Sequence, residues 1–433
     1  MEAIKVEYEI LSPSLSVEEA MDSSSEIIHE NAFMKEFGEM TTTNNNIDEH
    51  FQHKMGNVSK GFEEADVVVE GKYSTVMVHQ GYIEPHAATA LWKADGTITV
   101  WNSTQGSFPD RDEMSDILDV PISKIKVVPL EIGGGFGGKI PIYQEPVAAL
   151  LSKKTGKPVK ILMSRKEVFE STGPTPGGYT WVKVGVKNNG KITAMQAELA
   201  FEAGAYPGSP VGMGSQCVFA AYNCDNQLVD GYDVIVNKPK TAAYRAPGSP
   251  NAAFATEQVI DEISKKLNID PIELRLLNAV KEGDRRVDGP KFPVVGLTEV
   301  LEAMKNSPQY KKSLEGPNKG RGIAVGYWFN FGLQSSCSIT VNSDGTISLV
   351  EGSTDIGGSR ASIAMQAAET LGISYEDVNP TVADTDLVGY TAVTGGSRTT
   401  FATGYAAHLA CLLYTSDAAD EGLGVDLGGR RII

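Results

Sequence analysis

Glu131-Ile-Gly-Gly-Gly-Phe-Gly-Gly-Lys139 packs five glycines into six positions around one phenylalanine. Each glycine costs backbone entropy and packs nothing, so such a run cannot be a helix or strand interior; it belongs where something approaches the main chain closely. Upstream, Lys124-Ile-Lys-Val-Val-Pro-Leu-Glu-Ile132 is β-branched enough for a strand. Downstream, Glu145-Pro-Val-Ala-Ala-Leu-Leu-Ser-Lys-Lys154 predicts a helix closed by Gly156. The glycines therefore fall on a strand-to-helix turn, where free N–H groups can cradle an anion.

Three readings of the turn compete. Gly133 to Lys139 satisfies the G-x-x-x-x-G-K core of a nucleotide-binding loop, but Ile140 stands where a Ser or Thr must reach magnesium. Gly133, Gly135 and Gly138 satisfy G-x-G-x-x-G, yet the next predicted strand, Pro158–Met163, ends in Ser164-Arg165 rather than in an acid for a ribose. The third reading lays the loop against a large, flat, phosphate-bearing cofactor, with Phe136 as its wall. A merely tight turn would not need so many glycines.

At 433 residues the chain can hold two or three domains with substantial cores, and a net charge of −17 argues against nucleic acid or an anionic membrane as partner. Cys217, Cys224, Cys337 and Cys411 form no C-x-x-C pair and are too few to staple such a chain, which suits a reducing, cytoplasmic setting. No stretch is apolar for long enough to span a bilayer.

Ala3–Ile10 alternates like a strand and precedes a short helix, Val17–Met21. Residues 22–60 are polar and thinly patterned and read as a linker, with His29, His50 and His53 as solvent-facing histidines. Val67–Tyr73 is a strand, and Val76–His86 carries more polarity (His79, Gln80, Glu84, His86) than a core strand tolerates without purpose. Asp95-Gly-Thr-Ile-Thr-Val-Trp-Asn-Ser-Thr-Gln105 is a turn followed by a strand, with a helix around Asp112–Leu118. Asp344-Gly-Thr-Ile-Ser-Leu-Val-Glu-Gly-Ser-Thr354 echoes it, followed by a helix over Ala361–Leu371, which suggests two related units facing a shared site. Arg245 lies on a Pro- and Gly-bounded loop suited to phosphate or carboxylate, with a surface salt bridge as the alternative. Asp270-Pro-Ile-Glu273 opens a further helix.

Four motifs in order, Gly133–Lys139, Ala243-Tyr-Arg-Ala-Pro-Gly248, His79-Gln80 with Glu84-Pro85, and Asp355-Ile-Gly-Gly358, resemble the molybdopterin-binding large subunit of the xanthine dehydrogenase and aldehyde oxidase family. The likeness runs from about residue 3 to about residue 410. It implies a molybdenum hydroxylase with an α+β (mixed α/β) fold, two related molybdopterin-binding units around a shared cofactor cleft, the second incomplete. The implied cofactor is molybdopterin, the cytosine dinucleotide form among the candidates, with 2Fe-2S and FAD on partner subunits of a hetero-oligomer. By the same resemblance, Gln80 would stand at the reacting metal group as the catalytic side chain. Gly135-Phe136-Gly137 would press on the metal's apical side, and Tyr244 and Arg245 would hold the pterin. Gly357, Gly358, Gly396, Ser397 and Arg398 would contact the pterin or phosphates. No protein side chain is implied as a metal ligand.

Departures from the family pattern narrow the substrate. Ala246 replaces the cysteine of the carbon monoxide dehydrogenases, and Ile140 and Pro207 replace the polar residues of purine pockets, so an aldehyde or aromatic N-heterocycle fits as well as a purine. The resemblance implies residues 1–21 as the end of an α/β hammerhead domain, 22–60 as linker, 61–288 as the first molybdopterin-binding domain and 289–410 as the second. Residues 411–433 leave the family pattern and look like a translated adapter, which would strip Cys411 and Glu421 of functional meaning. The family's glutamate base lies beyond these motifs, so the chain as given is expected to be inactive alone.

Overall fold

Alternating apolar residues in Gly178–Val186 and Ile192–Gly204 bury Val182, Val184, Leu199 and Phe201 completely, and the largest sheet forms around them. The computed structural model describes residues 5–29, 33–42 and 45–420, with side chains as far as residue 415. In chain order its strands are β1 (Phe33–Glu36), β2 (Glu39–Thr42), β3 (Ile47–Met55), β4 (Val67–Thr75), β5 (Ala87–Trp92), β6 (Ile98–Asn102) and β7 (Ile125–Pro129). They continue as β8 (Val159–Leu162), β9 (Gly178–Val186), β10 (Ile192–Gly204), β11 (Gln227–Ile235), β12 (Cys337–Val341), β13 (Ile347–Glu351) and β14 (Val378–Val382).

The chain folds into two discontinuous units, one made of the residues up to His79 with Gly173–Trp328, the other of Gln80–Thr172 with the residues from Phe329 onward. This departs from the sequence-based division near residue 288, because the segment 80–172 folds with the chain after 329.

The first unit holds a seven-stranded sheet in the order β2-β1-β3-β11-β10-β9-β4. The helix Ser249–Leu267 lays Ala252, Ala255, Val259, Ile260 and Ile263 on it, a helical spacing that gives one apolar face. Pro271–Asn278 follows as expected, its N-terminal amides of Ile272 and Glu273 bonded to the Asp270 carboxylate. The expectation of a linker at 22–60 is corrected here: β3 pairs with β11 along nearly its whole length. Its sequence, Ile-Asp-Glu-His-Phe-Gln-His-Lys-Met, carries little apolar alternation, and polar cross-strand pairs hold it instead. His50, expected in solvent, stacks on Tyr232 at 4.2 Å and bonds the Asp230 carboxylate at 3.1 Å. The strand expected at Ala3–Ile10 is also absent, since residues 5–10 are exposed and pair with no strand; residues 3 and 4 lie outside the described residues.

The second unit is built from one motif used twice. β5 and β6 are antiparallel, a helix (Ser107–Leu118) crosses over, and β7 returns parallel to β6. Likewise β12 and β13 are antiparallel, a helix (Ser359–Leu371) crosses over, and β14 returns parallel to β13. Each copy turns on an Asp-Gly pair with the glycine at positive φ, 84° at Gly96 and 87° at Gly345, and with the aspartate bonded to the amide two residues on. The sequence echo is thus a structural repeat, though both copies belong to one unit. They are joined by Thr385, which exchanges bonds with the main chain of Val127, and by the Lys126–Asp384 ion pair. The final helix, Gly404–Asp420, does not break at residue 411, and Cys411 is buried against Ala367 and Ala407. Glu421 lies outside the described residues. Among the described residues no helix is long and apolar enough to cross a membrane.

Candidate functional site

β7 delivers the glycine turn and the helix Glu145–Thr155 receives it, with Gly156 as left-handed cap, as the sequence indicates. The turn is tight: the Gly138 N–H donates to the Gly135 carbonyl at 2.8 Å, with Phe136 at φ 55° and Gly137 at φ 110° between them. A phenylalanine held there stores about 1–3 kcal/mol of strain, and its ring stays 42 % exposed.

Three of the glycines are required by the protein's own side chains. A Cβ on Gly133 would lie 2.5 Å from the Cβ of Glu84, one on Gly135 2.4 Å from Gln105 Oε1, and one on Gly138 2.7 Å from the Tyr82 ring and 3.0 Å from the Gln80 carboxamide. The close approach inferred from sequence is therefore made, on this face, by Glu84, Gln105, Tyr82 and buried Gln80. On the other side, the amides of Gly134, Gly135 and Phe136 donate to no protein acceptor among the described residues. Three successive N–H groups without a protein acceptor, at a turn carrying positive-φ residues, are the kind of donor set that can take an anionic or oxo-bearing group.

Two further loops of the same unit are tied to this turn. Gln105 Oε1 accepts from the amides of Gly137 (2.8 Å) and Lys139 (3.3 Å), while its Nε2 donates to the Thr394 carbonyl at 2.8 Å. Arg360 bonds Glu131 at the start of the turn and Asp355 on its own loop, each at 2.8 Å. Asp355 also accepts from the amides of Gly357 and Ser359. Burial opposes its charge, but the amide bonds, Arg360 and the Ser359 hydroxyl hold its pKa well below the ordinary carboxylate value. Gly357 (φ 133°) and Gly358 (φ 91°) face open space on the Cβ side, at the start of the helix Ser359–Leu371. Gly396 is at φ 69°, and Ser397 (φ 57°) opens onto a cleft of roughly 730 Å³ with Gln366, Phe401 and His408.

Molybdopterin cofactor-binding domain models match residues 39–279 and 299–419. The chain belongs to the molybdopterin-binding xanthine dehydrogenase and aldehyde oxidoreductase family. It is 32 % identical to the nicotinate dehydrogenase large molybdopterin subunit of Eubacterium barkeri, over 70 % of this chain and 69 % of that one. It is 30 % identical to the xanthine dehydrogenase molybdenum-binding subunit of Escherichia coli O157:H7, over 83 % of this chain and 50 % of that one. The aldehyde oxidoreductase of Desulfovibrio desulfuricans superposes with a TM-score of 0.85 at 26 % identity, covering 99 % of this chain and 48 % of that structure. The chain spans about half the length of several such relatives.

In this molybdopterin-binding chain the expected site residues divide. Gln80, Gly135, Phe136, Gly137, Gly357, Gly358, Gly396 and Ser397 lie on loops of one unit, and the free amides and open glycines among them fit an anionic cofactor. Tyr244 and Arg245 lie in the other unit, where Arg245 (φ 26°) is exposed and makes no ion pair among the described residues, so the surface-salt-bridge alternative is not met. Arg398 is a correction. Its guanidinium is buried and consumed by the carbonyls of Gly332, Gln334, Ala392 and Val393 and the Ser335 hydroxyl, which leaves no side-chain donor for a phosphate. Lys139, the lysine of the nucleotide reading, is likewise buried and committed to Glu84 and Ser103. Sequence reasoning gave Gln105 no role, though the buried polar run Asn102-Ser103-Thr104-Gln105 closing an apolar strand was a usable signal.

Proposed function

We propose that this chain is the cofactor-binding portion of a molybdenum hydroxylase acting on an aldehyde or an aromatic N-heterocycle, purines included, with water as the oxygen source. The single observation that carries the reading is the set of three amides without a protein acceptor at Gly134–Phe136, on a turn tied through Arg360 and Asp355 to the loop of open Gly357 and Gly358. Bound there, molybdopterin would supply the redox chemistry, and the chain's residues would bind and orient it. The amides would hold its oxo-bearing face, Phe136 would wall it, and Gln80 would position a hydrogen-bonding carboxamide from behind Gly138. Gly357, Gly358, Gly396 and Ser397 would receive the pterin or phosphates through the main chain, in a mono- or cytosine-dinucleotide form. Tyr244 and Arg245, which the family resemblance implies as pterin contacts, are proposed as further cofactor-binding residues. Relatives named for xanthine, nicotinate and aldehydes support the substrate class. Ile140, whose methyl lies 3.5 Å from the Cβ position of Gly395, places an apolar group where purine-oxidising members carry glutamate.

Turnover is proposed for the whole protein with partners that carry 2Fe-2S and FAD, since no cluster of metal-ligating side chains occurs among the described residues. The chain alone is proposed to bind cofactor without turning over. Three carboxylates tied to the turn are committed: Glu84 to Lys139, Glu131 and Asp355 to Arg360. None of the three stands free as a general base. The test is molybdenum and pterin content of the chain co-produced with the cofactor-making enzymes, and acceptor reduction by aldehydes and N-heterocycles with and without partner subunits. Absence of both molybdenum and pterin would refute the reading.

A further inference from the structure

Gln105 is 2 % exposed and uses every polar group it has between two segments. Its amide donates to the Lys139 carbonyl (2.9 Å) and its carbonyl accepts from the Thr394 amide (2.7 Å). Its side chain repeats the bridge, Oε1 taking the Gly137 and Lys139 amides and Nε2 giving to the Thr394 carbonyl. Only a side chain that both accepts and donates at its tip meets both ends, because one end presents donors and the other an acceptor. We propose that Gln105 is a positioning residue, fixing the glycine turn against the segment at Thr394 and thereby deciding whether the turn can receive the cofactor; this rests on the molybdopterin reading above.

The geometry explains why a small change here would matter. The free amides of Gly134–Phe136 precede Gly137 directly, so the Gly137 N–H···Oε1 bond anchors the end of the donor surface. The same oxygen blocks the Cβ side of Gly135, where an added Cβ would lie 2.4 Å from it, so the turn has little room to settle lower. The charged groups of the joined segments are already engaged, Lys139 with Glu84 and Arg398 with the carbonyls of Ala392 and Val393. Neither can replace the carboxamide.

Two substitutions test the proposal. Gln105→Met removes both ends of the clamp at similar volume, and amide hydrogen exchange at Gly137 and Lys139 is expected to accelerate about tenfold or more, as for a lost buried hydrogen bond. Molybdenum per chain is expected to fall with it. Gln105→Glu is isosteric: protonated, it can donate to the Thr394 carbonyl and accept from the two amides; ionised, it opposes that carbonyl. Molybdenum content of this variant should match the wild type at acidic pH and fall as pH rises, while the wild type stays flat over the same range. Wild-type exchange at Gly137 and Lys139 in the Met variant, or fast exchange with full molybdenum content, overturns the proposal, as does a Glu variant indistinguishable from wild type at every pH. If the Met variant does not fold, the Glu variant decides by its pH profile. If the wild type itself binds no molybdenum, the functional reading falls and the exchange measurement alone decides whether the clamp exists.

Discussion

Lys139 Nζ lies 2.6 Å from Glu84 Oε2, and that one oxygen also accepts from the Ser103 hydroxyl at 2.7 Å and the Gly133 amide at 2.6 Å. Burial works against the Glu84 carboxylate, but these three donors keep its pKa below the ordinary value. The lysine of the glycine loop is therefore a strut beneath it. Lys139→Met should leave Glu84 without its cation and lower stability by about 2–4 kcal/mol, less than for a wholly buried pair because Glu84 is partly exposed. Thermal unfolding measures this, and calorimetric titration with Mg-ATP should show no binding in either protein.

Two arginines make opposite forecasts. Arg245→Ala should leave the unfolding temperature within a degree or two, since the side chain is exposed and unpaired among the described residues, and should lower cofactor content, with Arg245→Lys recovering part. Arg398→Ala should strip several buried carbonyls of donors and cost about 3–5 kcal/mol, so its effect appears in unfolding even without cofactor. Equal stability losses for the two would contradict the assignment.

Gly135→Ala and Gly357→Ala separate packing from access. The first drives a methyl to 2.4 Å from Gln105 Oε1 and should destabilise the turn itself. The second meets open space and pays only for its φ of 133°, about 1–3 kcal/mol, while filling the side offered to a ligand. Cofactor loss is expected in both, but local exchange around residues 137–139 should change only in Gly135→Ala.

Glu351 sets a pH dependence. Burial pushes its carboxyl up to about 8 from 4.5, opposed by the Ser353 amide. The folded chain then binds a proton that the unfolded chain releases between those values, so stability falls as pH rises from about 4.5 to about 8 and levels above. Glu351→Gln removes that proton exchange, and the gap in its favour should open across this window to something on the order of 5 kcal/mol. A constant gap between pH 5 and 9 would refute it.

The parts of this architecture written in local pattern were legible from sequence: the strand, glycine turn and helix at 125–155, the Asp270 cap, and the repeated Asp-Gly hairpin. β3 was not, because a strand held by polar cross-strand pairs lacks the alternation that announces one. Gln105 and Arg398 show the limit for side chains. Glutamine within a buried polar run and arginine within a glycine-rich motif have several plausible duties, and only the positions of distant carbonyls, at Thr394 in one case and at Gly332 and Gln334 in the other, decide between them.

Thr394 meets both copies of the repeat, bonding Gln105 after β6 and the Thr354 carbonyl after β13. The two copies thus share Thr394 as a partner, in addition to the bonds between Thr385 and Val127 and the Lys126–Asp384 ion pair. Shear between the copies must therefore break the bonds on one side of Thr394 or the other, together with those between Thr385 and Val127.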